Sequence, residues 1–88
     1  MRHPRVSSEE IVARGKKLYE TELRNKVESG NIGRFLVVDV ETGDYEIDDE
    51  DVRASLRLLD RNPGAAVFGI RIGHPVAYRI GSGFRAPA

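Results

Sequence analysis

The chain has 88 residues, 40% hydrophobic and 32% charged, with a formal net charge of zero. That composition is globular rather than disordered, and the length leaves room for one core only. The absence of cysteine excludes disulfide staples, thiolate metal sites and cysteine nucleophiles, and it favours a cytoplasmic setting.

Charge is spread unevenly. Residues 1–34 carry eight Lys/Arg against five Asp/Glu, residues 35–60 carry two against nine, and residues 61–88 carry four arginines and no acid. The neutral total lacks the basic excess of a dedicated nucleic-acid binder. No apolar run follows the basic start Met1-Arg2-His3-Pro4-Arg5, and no stretch approaches membrane-spanning length, so neither an export signal nor a membrane span is expected. The chain divides into an N-terminal arm over 1–7, a single α+β domain over 8–81 and a flexible tail over 82–88.

Ser7 or Ser8 can cap a first helix, and Glu10 stands three residues after Ser7 as a capping box requires. Ile11, Val12, Gly15, Leu18, Tyr19, Leu23 and Val27 then recur at three- and four-residue steps, which predicts a helix over about 8–28. Ser29-Gly30-Asn31 offers a left-handed stop. Arg34 to Val40 is β-rich and apolar on both faces, the mark of a central strand. Glu41-Thr42-Gly43-Asp44 turns the chain, and Asp44-Tyr45-Glu46-Ile47-Asp48 alternates as an edge strand with its acids toward water.

Asp48 or Asp49 can cap a second helix over about 49–61, in which Val52, Leu56 and Leu59 form the expected buried stripe, flanked by Ala54, Ser55 and Leu58. Asn62-Pro63-Gly64 ends it. Ala65 to Ile72 is a second two-sided strand, Gly73-His74-Pro75 turns, and Val76 to Ile80 alternates as a second edge. The predicted fold is αββαββ, a four-stranded antiparallel sheet of order 2-1-3-4 with two helices. Both helices are expected on one face. The opposite face, with Phe35, Val37 and Val67, would stay apolar and open to a partner, with Tyr78 on the last strand beside it. The alternating edge strands could in addition accept an added strand.

Few side chains suggest chemistry. The acids from Asp44 to Asp51 fail the spacing of a calcium loop, since the glycine position falls on Asp49 and the last ligand on Ser55. His3 and His74 have no partner at zinc-ligand spacing. The glycines precede a strand instead of following one, so they build no phosphate loop. No cofactor is expected. Asp39 interrupts an apolar strand and would need a partner, with Arg71 available as a structural ion pair. An enzyme reading would pair Asp39 with His74. Arg71, Arg79 and Arg85, with Tyr78 and Phe84, form a basic–aromatic strip that could read RNA or single-stranded DNA.

Three segments, Gly15-Lys16-Lys17-Leu18-Tyr19-Glu20, Phe35 through Ile47 and Arg71 through Gly81, together resemble a family of short bacterial proteins of unknown function. The resemblance covers about residues 9–81. It implies a stand-alone cytoplasmic bacterial protein and carries over neither an activity nor a catalytic residue. The leading expectation is a non-enzymatic protein–protein interaction module, a homodimer or an accessory, antitoxin-like subunit of a partner protein. Nucleic-acid binding through the last hairpin is the alternative.

Overall fold

A serine opens the first helix. Ser7 stays extended, its Oγ accepts from the Glu10 backbone N–H at 3.1 Å, and Glu10 accepts in return from the Ser7 N–H at 3.5 Å. This is the expected capping box, which satisfies two of the donors that a helix start leaves bare. The structure, a computed structural model, describes the backbone of residues 7–82 and the side chains of residues 7–74. Most of the N-terminal arm and of the tail, with Phe84 and Arg85, lies outside the described residues.

Helix α1 (Ser8–Leu18) runs without a break through a π turn (Tyr19–Leu23) into α2 (Arg24–Val27). The π turn follows from the spacing of the buried residues. Ile11, Gly15, Tyr19, Leu23 and Val27 are buried, each four positions after the last. In an α-helix a four-residue step overshoots a full turn by about 40°, so a strict period of four would drift off the core within a few turns. One wider turn takes up the excess and keeps all five residues facing the sheet. Within it, the Thr21 hydroxyl donates to the Lys17 carbonyl at 2.7 Å. At the far end Gly30 takes φ 80° and the Asn31 side-chain amide donates to Val27 O at 2.8 Å, the left-handed stop that the sequence announces.

Strand β1 (Phe35–Asp39) pairs antiparallel with β2 (Tyr45–Asp48) on one side and with β3 (Ala66–Arg71) on the other. The α+β class and the antiparallel order 2-1-3 are as the two-sided and alternating patterns predict. Beyond β3 the backbone of β4 (His74–Ser82) runs antiparallel, and its pairing steps over Tyr78 between Arg79 and Ala77. Tyr78 and Arg79 are therefore placed by register alone, and their side chains lie outside the described residues.

The second long helix, α3 (Asp51–Arg61), overturns one expectation. It does not share a face with α1. Ile11, Tyr19, Leu23 and Val27 pack with Leu36, Val38, Phe68 and Ile70 on one side of the sheet, whereas Ala54 and Leu58 pack with Val37, Ala65 and Val67 on the other. Val37 and Val67, read from the sequence as part of an open docking face, are buried beneath the chain's own helix, Val67 at 6% exposure. Phe35, at the end of the same strand, is half-buried. The physical reason is economy of burial: two sheet faces this apolar are both shielded only if the helices separate.

The turn of α3 about its own axis also differs from expectation. Ala54, Ser55 and Leu58 are buried, while Val52 and Leu56 are 54% and 61% exposed. The flanking set is the core set, and most of the predicted stripe faces outward. Nor does an aspartate cap this helix. Glu50 occupies the N-cap without a side-chain bond, and Asp48 instead accepts from the Glu50 N–H at 3.0 Å just ahead of it.

Gly15 fixes how closely α1 approaches the sheet. A Cβ there would sit 2.2–2.6 Å from three ring carbons of Phe68, itself fully buried. Helix propensity alone would favour Gly15→Ala by up to about 1 kcal/mol, but overpacking of this kind costs about 1–3 kcal/mol. Gly15→Ala is expected to lower the urea midpoint at unchanged slope, and a raised midpoint would contradict the described contact.

Candidate functional site

Strand β2 and helix α3 face each other with opposite charge. Tyr45 and Ile47 pack against the core on the α1 side, so the alternation of the strand turns Asp44, Glu46 and Asp48 to the α3 side. Arg53, Arg57 and Arg61 recur every four residues along α3 and form one flank of it. Arg57 donates Nε to Glu46 Oε1 at 2.8 Å and Nη1 to Asp48 Oδ2 at 2.9 Å. Arg61 donates to both Asp44 oxygens, at 2.9 Å from Nη2 and 3.1 Å from Nε, and to Glu46 through Nη1. Arg53 adds longer pairs with Asp48 at 3.5 Å and Glu50 at 3.3 Å. The acids expected to face water are instead clamped by planar guanidinium forks, the donors that suit carboxylates best.

The clamp also blunts the sheet edge. Asp39 N–H donates to Asp44 O at 2.8 Å. By the alternation of an antiparallel ladder, Tyr45 and Ile47 then turn their backbone groups to the free side. Arg57 Nη2 donates to Ile47 O at 3.0 Å and Arg61 Nη2 reaches Tyr45 O at 3.5 Å. With its outward acceptors taken, β2 is a poor template for an added strand, contrary to the expectation for this edge.

Asp39 is not paired with Arg71. The two stand at opposite ends of the β1–β3 ladder, Asp39 opposite Val67 and Arg71 opposite Phe35. The carboxylate, 1% exposed, accepts from Glu41 N–H at 3.0 Å, Ala66 N–H at 3.3 Å and Thr42 Oγ1 at 3.1 Å, and from the Asn62 side-chain amide at 2.5 Å. It ties together the β1–β2 turn, the end of α3 and the start of β3. A carboxylate with four donors is a structural staple, and His74, exposed at the start of β4 opposite Arg71 at the other end of β3, is not near it. The sequence could announce only that Asp39 needed partners.

Arg71 is exposed, donates Nε to Gly33 O at 3.1 Å and lies with its guanidinium carbon 5.4 Å from the centre of the Phe35 ring, within the range of a cation–π contact. It braces the loop that enters β1. Of the strip proposed for nucleic acid, Arg71 alone lies among the described side chains, and Tyr78, Arg79 and Arg85 do not. Among the described residues no three His, Cys, Asp or Glu side chains gather as metal ligands, and no helix is long and apolar enough to cross a membrane. An open cleft of about 390 Å³ lies between the π turn and the β1–β2 turn, lined by Arg14, Lys17, Thr21, Glu22 and Thr42 among others. Arg14 there pairs with Glu10, and both threonine hydroxyls are engaged within the chain.

What remains unsatisfied lies on α3. Val52 and Leu56 share the flank away from Arg57 and Arg61, with Leu59 one turn on, half-buried where it packs against the cluster of Ala54 and Leu58. The spacing 52, 56, 59 is that of a helix-pairing seam. The sequence did signal this stripe; it misplaced the stripe in the fold. Beneath it the Ser55 hydroxyl is buried without a hydrogen-bond partner, which fits a helix oriented by its charged flank at some cost to its underside.

The clamp has a pH signature. The hydrogen bond from Arg57, with Arg61 beside it, holds Glu46 below the usual carboxylate range, and the Glu50 N–H, followed by Arg57, does the same for Asp48. Carboxylates depressed on folding contribute stability that is complete above their unfolded range and is lost as pH falls through their folded values. Urea midpoints should therefore fall as pH drops through and below the ordinary carboxylate range. Arg57→Gln should show a smaller fall over that window than the wild type, and an equal fall in both would contradict the clamp.

Compared with protein-family models, with curated proteins and with solved structures, the chain shows no significant match.

Proposed function

We propose that the chain is a non-enzymatic protein-interaction module that uses the outer flank of α3 as its contact surface. The observation that carries this reading is the pair Val52 and Leu56, 54% and 61% exposed and one turn apart on a helix whose other flank is fully charged. Exposed apolar residues scattered singly need no explanation, but two one turn apart on one stripe form a continuous apolar surface that water solvates poorly. The rest of the described chemistry favours the same reading. Asp44, Glu46 and Asp48 are held by arginines, and Asp39 by four donors, which leaves these carboxylates bonded within the chain instead of poised for proton transfer.

The docking surface thus moves from Val37 and Val67, which α3 seals, to the outside of the helix that seals them. Leu56→p-benzoylphenylalanine, irradiated in the cells that naturally make the protein, is expected to give a discrete protein adduct. The same probe at Glu20, exposed on the first helical segment, is expected to give none. Adduct yield at position 56 no greater than at position 20 would overturn the reading.

A further inference from the structure

We infer that the occupant of this flank is a second copy of the chain, with the two α3 helices packed antiparallel about a two-fold axis. The inference rests on the interaction reading above and is carried by charge. Taking Val52 and Leu56 as the seam, with the outer edge of half-buried Leu59 one turn on, Arg53 and Asp60 each directly follow one of these residues and so lie along one border, while Ser55, which directly precedes Leu56 on the other side, is buried toward the sheet. In an antiparallel two-fold pair, like borders meet. Arg53 of each copy then comes opposite Asp60 of the other, and symmetry makes the pairing twice. A parallel pair would instead turn Arg53 and Asp60 toward the other border, where Ser55 is buried and Asn62 is bonded to Asp39, so that no counter-charge meets them. The charge pattern thus complements itself in one orientation only.

The local geometry leaves these groups available. Asp60 is exposed and makes no ion pair among the described residues, and exposed Arg53 is held only by long pairs, 3.3 Å to exposed Glu50 and 3.5 Å to half-buried Asp48, looser than the bonds of Arg57 and Arg61. Arg57 and Arg61, by contrast, are tightly bonded to β2 on the far flank and take no part. Leu56 lies between the charged positions, where a seam places its best-buried residue. With helix contact confined to one short seam, the dimer is of the weak, concentration-dependent kind.

Sedimentation of the intact chain over a concentration series extending into the millimolar range tests this directly. The wild type should pass from monomer to dimer, and Leu56→Glu, at a site exposed in the monomer, should abolish the dimer while circular dichroism is unchanged. Arg53→Asp sets aspartate against Asp60 twice and should weaken dimerisation about tenfold. Combining it with Asp60→Arg should restore most of the affinity. A wild type that stays monomeric throughout, a dimer indifferent to Leu56→Glu, or a double variant no tighter than Arg53→Asp alone would each overturn the antiparallel pair. The adduct formed from position 56 separates the two levels of the argument: one at twice the mass of the chain supports self-pairing, while one with a different protein preserves the interaction reading and removes this inference.

Discussion

The orientation of α3 depends on the contact between its arginine flank and the acidic face of β2. Arg57 and Arg61 each bridge two carboxylates, and each also reaches a backbone carbonyl of the edge strand. Isolated surface pairs contribute little, but a network of fork-geometry bonds sharing one carboxylate fixes position and rotation together. Once that flank is held, the rest follows from helical geometry. Ala54 and Leu58 go down onto Val37 and Val67, and Val52 and Leu56 are carried around to the outside. The clamp thus closes the second sheet face, blunts the β2 edge and creates the one apolar stripe that the protein leaves open on a described helix.

Much of this was legible in the sequence where a local rule decides. The capping box at Ser7 and Glu10, the left-handed glycine after the first helix, the turn at Gly43 with φ 85° and the central strands were all readable, because each depends on residues within a few positions of one another. The π turn was half-legible. The five buried residues spaced by four were visible, but their conflict with the α-helical period becomes apparent only when all five must touch one sheet.

The errors concern pairings between distant segments. Val52, Leu56 and Leu59 make a better apolar stripe than Ala54, Ser55 and Leu58, so hydrophobic pattern alone places all three inward, whereas only Leu59 packs against the core. The deciding signal was the register of arginines at 53, 57 and 61 against acids at 44, 46 and 48. It was present in the sequence as the charge asymmetry between segments, but it gains meaning only once the strand is known to lie beside the helix. Asp39 illustrates the same limit. Its need for partners was evident, whereas their identities, Asn62 and the backbone of Glu41 and Ala66, depend on where the end of α3 comes to rest.

The central claim is that α3 turns Leu56 outward and Leu58 inward, and the absence of native cysteine allows it to be measured with a single introduced thiol. Leu56→Cys should react with a thiol reagent in the monomer at close to the rate of an unfolded peptide. Leu58→Cys, at a position with no exposure, should react only as fast as the domain opens. Fast labelling at position 58 with protection at position 56 would mean that hydrophobic pattern, and not the arginine clamp, sets the helix, and the account would fail.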